Sequence, residues 1–177
     1  DINYNRISKE DLVNKQIYYA EQFLLCVQKL HSSKIAHCDL KPENILCFNN
    51  DRIKLSDFGF SHDCQKISKI PLSRGTPHYM SHNTLENNNF KPIKRKDLCP
   101  LKEDIFSSAV VLWDILESPQ LGFLLPRGIE NMIDYDFIEK RMKHKNLLPL
   151  LKLMTKYDPV ERPSIDEVLN IFYQIYY

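Results

Sequence analysis

The 177-residue chain is long enough for one domain with a real hydrophobic core. Its 24 Lys and Arg nearly balance 23 Asp and Glu, and the net charge of +1 gives no general reason to invoke nucleic acid or an acidic membrane as partner. No apolar run approaches the ~20 residues of a membrane span, and the five scattered cysteines (Cys26, Cys38, Cys47, Cys64 and Cys99) show no C-x-x-C spacing, so they read as reduced thiols rather than a disulfide framework or zinc site.

Ser8-Lys9-Glu10-Asp11 reads as a helix start, with Ser8 as cap and Asp11 supplying the negative charge that a helix N-terminus favours. Apolar residues from Leu12 to Leu30 then recur mostly at steps of three or four, so the helix should run to about His31 and bury one face. Ile35-Ala36-His37 is a short apolar lead-in to a polar loop, and Lys41-Pro42 stops any helix there. Residues 45–48 and 52–55 read as two short strands around an Asn49-Asn50-Asp51 turn. Residues 59–74 are polar and mixed and read as a mobile loop, and residues 87–100 as a second loop rich in Asn, Lys and Pro. Residues 105–116 are dense in apolar side chains and predict a buried helix, with Asp104 in its first turn or at its cap. Three more helices are expected over 128–143, 146–156 and 164–176, the last opened by the Ser164/Glu167 capping box. The expected class is mainly α, with one small β-hairpin inserted after the first long helix.

The hairpin brings chemistry together. A loop holding Asp39, Lys41 and Asn44 leads into its first strand, and its second strand exits at Ser56-Asp57-Phe58-Gly59. The turn is short, so the open ends lie side by side and Asn44 meets Asp57 in space. An amide oxygen and a carboxylate at one spot suit a hard cation such as Mg²⁺, which usually takes few protein oxygens and several from phosphates. Asp39 and Lys41 place a base and a cation beside that spot, a layout for moving a phosphoryl group.

On these residues the chain resembles the eukaryotic-type protein kinases, Ser/Thr subclass. The run His37-Cys38-Asp39-Leu40-Lys41-Pro42-Glu43-Asn44 is similar to the kinase catalytic loop, and Asp57-Phe58-Gly59 follows it at suitable separation. Gly75-Thr76-Pro77-His78-Tyr79-Met80 resembles the end of an activation region, Glu103-Asp104-Ile105-Phe106-Ser107 the start of the central helix, and Asp158-Pro159-Val160-Glu161-Arg162-Pro163-Ser164 the late D-P-x-x-R-P-S turn. These motifs stand in family order over residues from about 10 to 175. The resemblance implies that 1–177 is the C-terminal lobe of a kinase domain with the N-terminal lobe absent. It places the catalytic loop at 37–44, D-F-G at 57–59, an activation segment at 57–83 and a helical subdomain at 101–177. It implies transfer of the ATP γ-phosphate to Ser or Thr hydroxyls of a protein substrate, in a form completed by an N-lobe, with ATP and Mg²⁺ as cofactors. Asp39 resembles the catalytic base, and Asn44 and Asp57 resemble the Mg²⁺ ligands. Lys41 resembles the lysine that offsets charge on the transferred phosphoryl, Thr76 the residue that bonds near Asp39 and Lys41, and Asp104 the aspartate that braces the loop.

Three departures from the family pattern carry expectations. Cys38 stands where many kinases have an arginine that pairs with an activation-loop phosphate, so phosphorylation at Ser68 or Ser73 is expected to be dispensable. Ser81-His82-Asn83 stands where the family usually reads A-P-E; the family's glutamate pairs with the arginine matching Arg162, and Asn83 offers that arginine only a neutral hydrogen bond. No Gly-rich loop or strand lysine precedes residue 10, so an N-lobe or a partner is expected to cover the ATP face. The alternative reading is a catalytically inactive kinase-like module for docking or scaffolding. Location is expected to be intracellular, the cytoplasm ahead of the nucleus, with Lys94-Arg95-Lys96 too short to count as a nuclear signal.

Overall fold

Helix α1 (Lys9–Ser32) starts where its cap places it, with Ser8 Oγ accepting the Asp11 N–H at 3.0 Å. Its buried face, from Ala20 through Phe23, Leu24 and Val27 to His31, packs on helices α3 (Pro100–Leu116) and α6 (Ile165–Tyr176). The computed structural model describes residues 8–66, 75–87, 99–117 and 133–177, with the side chains of residues 83, 86 and 87 outside that description.

Helix α3 begins about a turn earlier than its apolar run suggests. Pro100 opens it, at a position where the missing N–H costs nothing. Asp104 is therefore not a cap but lies inside the helix. Buried residues from Ile105 to Leu116 go round all of its faces, which makes α3 the centre of the core rather than a surface helix. Phe23, Phe106, Trp113 and Phe172 are the largest apolar side chains there.

Helix α4 (Tyr135–Arg141) is shorter than the expected 128–143. Asp134 caps it by accepting the Phe137 N–H at 2.9 Å, and Met142 is already extended. Residues 128–132 lie outside the described part. Helix α5 (Leu148–Met154) falls within the expected span, and α6 starts at the Ser164/Glu167 capping box. A short helix, α2 (His82–Asn87), has no counterpart among the sequence expectations; Ser81 Oγ accepts the Thr84 N–H at its start.

Two antiparallel sheets replace the single expected hairpin. Strands β2 (Ile45–Cys47) and β3 (Ile53–Leu55) form that hairpin, in register Ile45 with Leu55 and Cys47 with Ile53. Strand β1 (Ile35–Ala36) pairs with β4 (His62–Asp63), and the Cys64 N–H extends the ladder to Lys34 O at 2.8 Å. The stretch from residue 59 is thus not all loop: Phe58–Phe60 forms a single 3-10 turn and 62–63 a strand. Two-residue strands show no period in sequence, and only the pairing across space reveals them. Residues 67–74 and 88–98, the rest of the two expected loops, lie outside the described part, as do Ser68, Ser73 and Lys94-Arg95-Lys96. The described residues are mostly helical with small antiparallel sheets, consistent with a kinase-like fold. Among them no helix is long and apolar enough to cross a membrane.

Candidate active site

The loop 37–44 has few ladder partners for its N–H groups, so burying it requires acceptors from elsewhere. Asp104, 1% exposed, supplies two: Oδ2 accepts His37 N–H at 2.6 Å and Oδ1 accepts Cys38 N–H at 2.9 Å. His31 Nε2 lies 3.1 Å from the same carboxylate. Cys38 takes a left-handed backbone, φ 65°, which is uncommon for a residue with a Cβ. Gly75 lies against it with φ 121°, and a Cβ there would sit 2.9 Å from Cys38 O. Only glycine lets the chain pass the loop this closely.

That close passage delivers Thr76 to Asp39. Asp39 Oδ1 accepts both Thr76 N–H and Thr76 Oγ1–H at 2.9 Å. Lys41 Nζ lies 3.0 Å from Asp39 Oδ2 and donates to Thr76 Oγ1 at 2.8 Å. Asn44 Nδ2 donates to Asp39 O at 2.8 Å and to Oδ2 at 3.2 Å. Burial pushes the Asp39 carboxyl up, but the hydrogen bonds from Lys41, Thr76 and Asn44 outweigh it and hold the group below the usual carboxylate range. Asp39 is therefore an anion at neutral pH.

The hairpin sets Asp57 beside Asn44. Ser56 N–H donates to Asn44 O at 2.9 Å and Ser56 Oγ to the same oxygen at 3.1 Å. His37, fully buried, braces this crossing: its Nε2 lies 3.0 Å from Ser56 O, its Nδ1 accepts Asp39 N–H at 3.3 Å, and Phe58 packs on its ring at 5.1 Å. The carbonyl at Nε2 and the N–H at Nδ1 together assign the proton to Nε2. Asp57 is exposed, left-handed at φ 57°, and spends one oxygen on Gly59 N–H at 3.3 Å. Asn44 spends both Nδ2 hydrogens on Asp39, which leaves Oδ1 as the atom offered to a cation. No group of three or more His, Cys, Asp or Glu suited to a metal occurs among the described residues. The Asn44 and Asp57 oxygens fit Mg²⁺ that brings its remaining ligands as water and phosphate, and do not fit a closed protein cage.

Two features escaped the sequence reading. Tyr79 Oη–H donates to Asp114 Oδ2 at 2.8 Å; burial pushes the Asp114 carboxyl up to about 6, with the Tyr79 bond opposing and nearby Glu43 adding to the rise. Its signal was only a lone acid within an apolar helix. The second concerns Arg162, whose carboxylate partner among the described residues is Glu103, at 2.8 Å. The side chain of Asn83, the residue singled out for that arginine, lies outside the described part.

A family model described as the protein kinase domain matches residues 3–173. Curated relatives point the same way. The chain is 34% identical over 156 residues to the serine/threonine-protein kinase MPS1 of Encephalitozoon cuniculi, covering 85% of this chain and 25% of that protein. It is 32% identical over 177 residues to the ovarian-specific serine/threonine-protein kinase Lok of Drosophila melanogaster, covering 94% and 36%. Human death-associated protein kinase 2 is 31% identical over 163 residues, covering 86% and 41%. The chain thus spans between a quarter and about two fifths of the length of these relatives.

Proposed function

This chain belongs to the eukaryotic-type Ser/Thr protein kinase family, and from that premise we propose that it carries the catalytic residues of an enzyme that moves the γ-phosphoryl group of ATP to Ser or Thr hydroxyls of protein substrates. The observation behind this is the Asp39 cluster, in which Lys41, Thr76 and Asn44 all bond to one carboxylate. Asp39 is the base that receives the hydroxyl proton. Its four acceptor positions are all in use, and the 3.2 Å contact from Asn44 is the longest, so the acceptor hydroxyl displaces that one at least cost. Lys41, tethered to both Asp39 and Thr76, keeps its charge beside the reacting oxygen. Thr76 holds the Asp39 carboxylate in one orientation through two hydrogen bonds.

Asn44 and Asp57 are the residues that would hold Mg²⁺, with Lys41 beside the nucleotide's phosphate end. When bound, Mg-ATP supplies the phosphoryl donor and the cation that offsets its charge. In domain terms the chain serves as the larger lobe, with the catalytic loop at 37–44, an activation segment over 57–83 and the helical subdomain over 101–177. Leu46, Phe48, Phe58 and Phe60 around the hairpin are 40 to 47% exposed. That apolar rim supports a second lobe or partner covering the ATP face. The docking-module reading drew on the missing N-lobe features and on the Ser81-His82-Asn83 departure. The Glu103 contact to Arg162 meets that arginine's charge and so answers the second of these grounds.

The test is transfer from γ-labelled ATP to myelin basic protein by the full-length protein carrying this chain. The expected product is phosphoserine or phosphothreonine, dependent on Mg²⁺ and lost in Asp57→Ala. Label that persists at full level in Asp57→Ala would reject the assignment.

A further inference from the structure

Helix α3 carries two adjacent carboxylates, and successive residues on a helix point about 100° apart. Asp104 faces the catalytic loop. Glu103 faces a different side, where its Oε1 lies 2.8 Å from Arg162 Nη1 and its Oε2 accepts Thr84 Oγ1–H at 2.8 Å. Arg162 is a fixed post. It is 1% exposed, Nε donates to Lys156 O at 2.8 Å, Nη1 also to Lys102 O at 3.0 Å, and the guanidinium lies over the Phe106 ring at 5.3 Å. A guanidinium buried this deeply requires an anion, and Glu103 is the carboxylate that meets it among the described residues.

Thr84 is the other end of the tie. It sits in α2, the helix that follows directly on the Thr76–Met80 stretch packed against Asp39. Ser81 Oγ lies 3.2 Å from Thr84 Oγ1 and accepts its N–H, so the first turn of α2 moves as one piece with Thr84. Ser107, one turn along α3 from Glu103, adds a second tie by donating to Tyr79 O at 2.8 Å.

We propose that Glu103 is a positioning residue that fastens the stretch leaving Thr76, through Thr84, to the buried Arg162, and so holds the wall against which an acceptor protein lies beside Asp39. One turn of α3 then sets both parts of the reaction in a common frame: the base through Asp104 and the acceptor platform through Glu103. The kinetic consequence rests on the kinase reading; the structural tie does not.

The experiment uses the full-length protein carrying this chain, with myelin basic protein as acceptor. Glu103→Gln keeps the size and removes the charge. Thr84→Val removes the hydroxyl's contacts to Glu103 and to Ser81, keeps the Thr84 N–H bond to Ser81 Oγ, and leaves the ion pair with Arg162 intact. Both variants are expected to raise the acceptor KM by about tenfold while the Mg-ATP KM holds, because a charge-assisted contact to the platform is lost and the nucleotide side is untouched. In both, amide hydrogen exchange over residues 79–85 is expected to quicken while residues 37–44 keep their protection. Exchange needs no turnover, so it separates the two ideas. Wild-type protein that transfers no phosphate would remove the kinase reading, and exchange over 79–85 would still decide this one. Unchanged exchange there in Thr84→Val overturns the proposal, as does a fall in kcat with both KM values unmoved. If Glu103→Gln does not fold, Thr84→Val decides alone.

Discussion

Asp104→Asn isolates the brace under the catalytic loop. The side chain keeps its shape but exchanges one acceptor oxygen for an NH₂ group. One of the two loop N–H groups, His37 at 2.6 Å or Cys38 at 2.9 Å, then faces a donor in a buried site. An unsatisfied buried donor costs about 1–3 kcal/mol, and losing the charge on the remaining bond adds about 1 kcal/mol more. The expected destabilisation is therefore about 2–4 kcal/mol. For a domain of this size that lowers Tm by roughly 5–15 °C, read by scanning calorimetry against wild type. The same loop carries Asp39, so kcat should fall as well; a shift of about 1 Å in a reacting group is worth about 100-fold. A Tm within about 2 °C of wild type, together with kcat within about twofold, would show that something other than Asp104 holds the loop and would refute this reasoning.

Asp114 gives a pH signature. Its folded-state carboxyl titrates at about 6, above the usual 3.8, so the folded form binds more protons in that window and stability from this group falls as pH rises through it. Asp114→Asn should gain on wild type by about 2–3 kcal/mol between pH 4 and pH 7, measured as the difference in urea unfolding free energy; a flat difference would contradict the raised value. Gly75→Ala should destabilise by about 1–3 kcal/mol, since φ 121° and the 2.9 Å approach to Cys38 O both exclude a Cβ. Its denaturant midpoint should drop without a change in slope, and an unchanged midpoint would mean that the segment relaxes freely.

Legibility followed the range of the interactions. The caps at Ser8 and Ser164 and the face of α1 are local, within four residues, and the sequence showed them directly. The β2–β3 hairpin joins segments about ten residues apart through one short turn, which is why the approach of the Ser56-Asp57 end to Asn44 was foreseeable. The β1–β4 pairing was not, because two residues carry no period and the partners come from segments apart in the chain. The α3 start was legible in principle, since Pro100 at the first helical position is itself a signal, but the dense apolar run begins only at Ile105. The left-handed backbones at Cys38 and Asp57 had no glycine to mark them. At Cys38 the Asp104 bond and the passage of Gly75 are contacts far along the chain, whereas at Asp57 the side chain bonds locally to Gly59 N–H. The Glu103 contact to Arg162 joins residues far apart, and only the packed structure shows that this arginine is buried and which acid reaches it.

The most direct measurement is kcat for phosphoryl transfer to myelin basic protein by full-length Asp39→Asn beside wild type. Asparagine retains the shape and still accepts from Thr76, but it cannot take the hydroxyl proton. The account predicts a loss of about 10²–10⁴-fold in kcat with the fold intact by circular dichroism. Activity within about threefold of wild type would remove Asp39 as the base and contradict the site assembled around it.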